Sequence, residues 1–374
     1  MLFLCADQKL IDLYKSYGIE TVGPLGLKDL SHTVMQWYRW HQVKEYAKVL
    51  WSSYKTWWSI ADYWYDRIQP DIVHLNTSSL TIWAQRAYRR NIPVICHIRE
   101  PLSPGHFGLR RSLVKNAVER YATRILPISY NEALPWKDSS KTQVVYNAVD
   151  PVWFDASMGS PEKRQPTILF VGGYAPEKGT LTILKAFEQV LTKVPHARLR
   201  IAGYFQPPNY PRWHPRRLSA EQRYANEVDE LLARLPHHDG TLASGGVELL
   251  GSRQDIPQLM LESDVVVFPA AVGHFARPII EAGFMKQPVV ASALPPLDEL
   301  VIDGTTGFLV SPTDINQWTE RLITLLVNHE LAQTLGEQAY VFCRKNFLLA
   351  DQIKKIETVY DALQEPTVRH EEGV

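Results

Sequence analysis

A chain of 374 residues, 45% hydrophobic and 21% charged, has the composition of a soluble globular protein of about two domains, which excludes a disordered or collagen-like chain. Its formal net charge is zero and it carries no recognisable RNA- or DNA-reading module, so nucleic acid is set aside as a partner. The zero hides a split: positions 1–150 hold 19 basic against 13 acidic residues and the remainder 21 against 27. That split suits an anionic partner for the N-terminal part or, equally, salt-bridged contact between the two parts.

Leu2–Ala6 reads as a strand, followed by a helical stretch to Tyr17, a Gly18 stop and a second strand at Ile19–Val22. Asp7 and Lys9 interrupt the apolar start at once, against a signal peptide, and no apolar run approaches the ~18–20 residues that span a bilayer. Cys5, Cys96 and Cys343 lie far apart among apolar neighbours without CxxC spacing, as free thiols of a reducing cytosol do. The alternation continues with strands at Asp71–Leu75, Pro93–Ile98, Arg124–Ile128 and Thr142–Tyr146, and helices at Thr81–Arg90 and Leu109–Thr123. Such a series implies right-handed crossovers and a parallel sheet covered on both faces.

Pro151–Pro166 has linker composition, and a second series follows it. Strands are expected at Thr167–Val171, Arg198–Ala202, Val247–Leu250, Val265–Phe268 and Val289–Ala291. Helices are expected at Gly179–Thr192, Ile256–Glu262 and Ile279–Lys286. Gln206–Gly246 reads as an insertion with a helix at Ala220–Arg234, Ala350–Leu363 as an amphipathic final helix, and Gln364–Val374 as a frayed tail. Two doubly wound domains in tandem would bind a ligand at the carboxyl ends of their strands.

Two stretches carry chemistry. In FVGGYAPEKGT, Phe170–Thr180, an apolar strand runs through Gly172 and Gly173 into a helix, where backbone amides and the Lys178 ammonium suit a diphosphate. It is neither a P-loop nor a GxGxxG fingerprint, and an ordinary strand-to-helix turn with a surface lysine explains it as well. In Ser263–Ser292 a buried strand, an irregular loop at Val272–Arg277 and a helix bearing Glu281 follow one another. The loop's N–H groups favour an anion or a sugar hydroxyl, and Glu281 suits the hydroxyls of a ribose; a solvent-facing helix glutamate is the plain alternative.

The motifs FVGGYAPEKG, GHFARPIIEA and DELVIDGTTGFLV, in this order over Phe170–Val310, resemble the nucleotide-sugar domain of glycosyltransferase family 4. PDIVHLNTS, PVICHIRE and VVYNAVD resemble that family's acceptor domain, so the likeness covers most of the chain. It implies a GT-B fold of two Rossmann-like domains: an acceptor domain at 1–155 whose first strand and Gly-rich loop are missing, a donor domain at 160–345, and a segment 346–374 whose helix packs back on the first domain. It further implies a retaining transferase moving a hexose-type sugar from a nucleoside diphosphate to a glycan or lipid-linked saccharide, with no metal or other cofactor.

Residue by residue, the resemblance places Lys178 on the donor diphosphate and Glu281 on the ribose, as the second glutamate of E-x7-E. It places the N–H groups of Phe275 and Ala276 on the sugar and its phosphate, Arg253 near the base and His97 against the transferred sugar. A satisfied core histidine is the alternative for His97. Two departures stand out: Gly173 replaces an arginine on the diphosphate, and Gly273 replaces the first glutamate of E-x7-E. Arg277 and His274 are candidate substitutes for what is lost. The same departures support a second reading, a non-catalytic nucleotide-sugar- or glycan-binding partner of an active transferase.

Between Met35 and Tyr65 eleven Trp and Tyr residues, Trp57 and Trp58 among them, alternate with Arg39, Lys44, Lys48 and Lys55. Leu109–Arg124 adds Arg110, Arg111, Lys115, Arg120 and Arg124. Trp and Tyr with basic partners suit a lipid headgroup region, giving a face for a lipid-linked acceptor on the inner side of a membrane. An aromatic core with a sugar-stacking wall is the alternative.

Overall fold

The structure, a computed structural model, describes residues 2–4, 8–23, 43–102, 108–153, 165–173, 176–203, 220–237 and 244–364. The chain forms two compact units: residues 1–128, 132–145 and 357–374 in the first, and residues 129–131 and 146–356 in the second. The division thus falls at Val145, before the linker composition begins, and the last turns of the final helix group with the first unit.

The first unit runs β1 (Leu2–Leu4), α1 (Gln8–Ser16), β2 (Glu20–Val22), α2 (Val43–Lys55), a π turn at Thr56–Ile60, α3 (Ala61–Ile68), β3 (Val73–Leu75), α4 (Thr81–Tyr88), β4 (Val94–Ile98), α5 (Leu109–Tyr121) and β5 (Arg124–Pro127). β1 and β2 pair in parallel, and β3–β4–β5 form a separate three-stranded parallel sheet. Every residue of β4 is buried, as a central strand covered on both faces requires. The expected strand at Thr142–Tyr146 is a correction: only one parallel bridge forms, Ile125 with Thr142. The segment still runs along β5, the amides of Gln143 and Val145 donating to the carbonyls of Ile125 and Pro127. Pro127 has no N–H to donate back to the segment, so the ladder does not continue.

A short α6 (Tyr130–Ala133) precedes the second unit's series. That series is β6 (Thr167–Val171), α7 (Thr180–Lys193), β7 (Arg198–Ala202), α8 (Ala220–Arg234), β8 (Gly246–Gly251), α9 (Ile256–Leu261), β9 (Val265–Phe268), α10 (Arg277–Phe284), β10 (Val289–Ser292), β11 (Gly307–Val310), α11 (Ile315–Val327), α12 (His329–Asn346) and α13 (Leu349–Gln364). Six parallel strands lie in the order β11-β10-β9-β6-β7-β8. Alternation divides each strand between two cores. Ile168, Phe170, Val265 and Val267 join Phe187, Val190, Trp318 and Leu322 on one face, while Leu169, Val266 and Phe268 join Ile279, Ile280, Ala282 and Phe284 on the other. The order reverses between β6 and β9, so the loops leaving those two adjacent strands open side by side. This is where doubly wound sheets bind ligands.

Candidate functional site

The loop after β6 is shaped by glycine. Gly173 has φ +74, a left-handed conformation that costs a side-chain-bearing residue roughly 1–2 kcal/mol. Its carbonyl accepts from Thr180 Oγ1 at 2.9 Å, tying the loop's start to the first turn of α7. The N–H of Gly172 is taken by the carbonyl of Ala202, so this amide extends the sheet and is not open to a phosphate. Lys178 stands in the short 3-10 turn that leads into α7.

The loop after β9 meets it. The N–H of Ala271 donates to the carbonyl of Glu177 at 3.0 Å, and Lys178 Nζ lies 2.8 Å from His274 Nε2. His274 Nδ1 is 2.9 Å from the Val272 carbonyl. A carbonyl only accepts and an ammonium only donates, so the imidazole is neutral with its hydrogen on Nδ1. Lys178 also lies over the ring of Phe268, 5.6 Å from its centroid. Burial lowers the pKa of both Lys178 and His274. The result is a half-buried ammonium held at the mouth of two helices by a neutral acceptor that an anion can displace.

Gly273 has a plain physical reason. A Cβ there would fall 1.9 Å from the carbonyl oxygen of Pro295, far inside contact distance. The loop is pressed against the Leu294–Pro295 backbone, and no carboxylate-bearing residue fits at this position without displacing it.

α10 opens at Arg277, two residues before the expected start, with Ala276 as an extended N-cap and Pro278 in the first turn. In its first turn Pro278 has no N–H to offer, and the Ile279 amide donates to the Ala276 carbonyl at 3.1 Å. Glu281 is buried and accepts from Arg277 Nε at 2.9 Å, with the guanidinium largely exposed. Burial raises the Glu281 pKa, and Arg277 opposes the rise. Glu281 is therefore not a solvent-facing helix residue, and Arg277 is engaged on its own helix. Arg253 follows β8, two strands from β6 in the sheet, and is exposed and bidentate with Asp255.

In the first unit His97 sits in β4, 3% exposed. Its Nδ1 lies 3.2 Å from His74 Nε2 and 3.4 Å from an Arg99 guanidinium nitrogen. His74 Nδ1 lies 2.6 Å from the Tyr360 hydroxyl. Burial first, then the charge of Arg99, pushes His74 down to about 4 and His97 down to about 3. Beside them one Glu100 oxygen accepts from Thr77 Oγ1, Ser78 N and Ser78 Oγ at 2.7, 2.8 and 2.9 Å, fixing the loop after β3. His74, Glu100 and Tyr360 were not singled out by sequence. Glu100 does lie in the motif PVICHIRE with His97, and His74 in the neighbouring PDIVHLNTS, whereas Tyr360 is 286 residues from His74 and carries no local signal.

The aromatic stretch divides between its two readings. Tyr65 is core, its hydroxyl donating to the Trp83 carbonyl at 2.9 Å. Trp51, Tyr54 and Trp58 stack along an exposed helical face, at centroid spacings of 5.9 and 6.1 Å, with Lys55 over Trp51. Trp57 carries the Arg86 guanidinium over its ring. In α5, Arg111 and Lys115 are exposed. Arg110 is a correction: it is buried with Val114 and Val118, because residues four apart share one helix face and this one turns inward.

The sequence pattern of the group 1 glycosyl transferases matches residues 155–342. The chain belongs to that family. An uncharacterised glycosyltransferase of Methanocaldococcus jannaschii is 30% identical over 121 residues, 32% of this chain and 34% of that protein. N-acetyl-alpha-D-glucosaminyl L-malate synthase of Bacillus anthracis is 22% identical over 261 residues, 68% of this chain and 61% of that protein. The matched stretches thus span less than two thirds of these relatives. The crystal structure of Anabaena HepE with UDP-glucose superposes with a TM-score of 0.70 at 20% identity, over 96% of this chain and 91% of that one. The fold is GT-B.

Proposed function

We propose that this group 1 family member is a retaining glycosyltransferase that moves a hexose-type sugar from a nucleoside diphosphate to a hydroxyl of a glycan or lipid-linked saccharide in polysaccharide or cell-envelope assembly. The observation that carries the reading is the Lys178–His274 pair, an ammonium held 2.8 Å from a neutral imidazole where the loops of β6 and β9 meet. Cleavage of the donor places negative charge on the leaving diphosphate, and preorganised cations and helix-start amides stabilise such charge most where water is excluded. Lys178 leaves His274 for the diphosphate, with the N–H groups of Phe275 and Ala276 beside it. Glu281 exchanges Arg277 for the ribose hydroxyls, and the released Arg277 supplies the cation that Gly173 lacks. His97 meets the sugar. No metal takes part.

The stacked face of Trp51, Tyr54 and Trp58 with Lys55 supports a peripheral contact with the inner face of a membrane, where a lipid-linked acceptor would be met. Among the described residues no helix is long and apolar enough to cross a membrane. The test is incubation with a panel of nucleotide sugars in the presence of EDTA, following nucleotide release and the anomeric configuration of the product by NMR. Release of one nucleotide with retained configuration supports the reading; inverted product or metal dependence contradicts it. Gly273, which leaves no room for the first carboxylate of E-x7-E, favours the non-catalytic binding partner as second reading. Nucleotide binding without turnover of any donor would select it.

A further inference from the structure

His97 Nε2 is buried and has no hydrogen-bond partner among the described residues, although β4 is covered on both faces and the rest of the ring is engaged. A buried imidazole nitrogen left open costs free energy unless something outside the chain completes it. The neighbours decide which hydrogen it carries. A guanidinium only donates, so with Arg99 at 3.4 Å the Nδ1 of His97 is an acceptor. A neutral ring holds one hydrogen, which must then sit on Nε2. His74 Nε2, 3.2 Å from that same Nδ1, is a donor in turn, which leaves His74 Nδ1 to accept from the Tyr360 hydroxyl at 2.6 Å.

We propose that Tyr360 and His74 are positioning residues which, with Arg99, lock His97 as the Nε2–H tautomer, so that it presents a hydrogen-bond donor to a hydroxyl oxygen of the bound sugar. The inference rests on the transferase reading for its substrate, but the tautomer itself does not. The relay runs from α13 through β3 to β4, so a residue of the last described helix sets the chemistry of a strand in the three-stranded sheet. The wrong tautomer would offer the sugar hydroxyl a lone pair where a donor is needed, and a site built to hydrogen-bond a hydroxyl discriminates strongly.

The experiment is histidine-selective 15N NMR of the full chain, wild type and Tyr360→Phe, at pH 7.5, with steady-state kinetics on the donor found above. Expected are His97 and His74 both protonated at Nε2 in the wild type. In Tyr360→Phe the fixed tautomer of His74 is lost and kcat falls several-fold, with nucleoside diphosphate affinity unchanged. Tyr360→Phe keeps the ring and removes one oxygen, and a wild-type thermal midpoint will show that the fold survives. As a second probe, His97→Gln, which retains an N–H donor, keeps measurable turnover where His97→Leu does not. A hydrogen on His97 Nδ1 in the wild type, or wild-type tautomers and kcat in Tyr360→Phe, would overturn the proposal. If no donor is turned over, the transferase reading is what fails, and the wild-type tautomers alone decide the relay.

Discussion

At the residue scale, the most informative positions are those that depart from the family pattern. Gly273 stands where a glutamate is expected, and the distance from its would-be Cβ to the Pro295 oxygen, 1.9 Å, says that the surrounding backbone has been built for the glycine. Restoring the consensus is therefore predicted to harm the protein. Gly273→Glu should lower stability by about 1–3 kcal/mol through overpacking, seen as a fall of several degrees in the thermal midpoint, and should not raise donor turnover. A wild-type midpoint with increased turnover would mean that the loop has room and that the missing carboxylate is a true loss. Lys178 makes the opposite kind of case. One charge-assisted bond is worth about 1.5–3 kcal/mol, so Lys178→Ala should weaken nucleoside diphosphate binding roughly 10- to 100-fold with little change in stability.

At the scale of elements, the second unit was legible because its signals are local. Runs such as Ile168–Val171 and Val265–Phe268 are apolar throughout and end at glycine or proline, and α8 forms over the expected Ala220–Arg234. Side-chain direction was less legible. Arg110 lies in a basic run that reads as surface, but its place in α5 turns it to the core with Val114 and Val118. The segment Met35–Tyr65 read as one aromatic patch, whereas its described part is helical, interrupted by a π turn, with Tyr65 inside and Trp58 outside. The part at 35–42 lies outside the described residues, as does Cys5. The exposed stack predicts that Trp58→Ala reduces co-sedimentation with anionic phospholipid vesicles while the midpoint stays within the small range of surface substitutions. Undiminished sedimentation would return the face to the sugar-stacking reading. By contrast Trp318, fully buried with its Nε1 donating to the Ser311 carbonyl at 3.0 Å, is predicted to cost about 3–5 kcal/mol as Trp318→Ala.

At the scale of the whole molecule, two features could not be read from the sequence. Tyr360 reaches His74 only because the last turns of α13 belong to the first unit, and a contact over 286 positions leaves no periodicity to detect. The reversal of strand order between β6 and β9, which brings Lys178 beside His274, follows from the alternation of strands and helices only once the order is known. The histidine pair also gives the molecule a pH dependence. His74 and His97 titrate at about 4 and about 3 in the folded chain against 6.5 when free. Between those values the unfolded chain binds more protons, so stability rises with pH through this window. The thermal midpoint should fall as pH drops from about 6.5 towards 4, and should fall less in His97→Gln; an equal fall in both would assign the acid sensitivity to other groups.

We propose that the loops leaving β6 and β9 form a nucleotide-sugar donor site through Lys178, His274 and Glu281. The most direct test is calorimetric titration of the full chain with UDP, GDP and ADP, repeated on Lys178→Ala and Glu281→Ala. One nucleotide is expected to bind the wild type and to bind each variant at least tenfold more weakly. Binding of none of the three, or affinity unchanged in both variants, would contradict it.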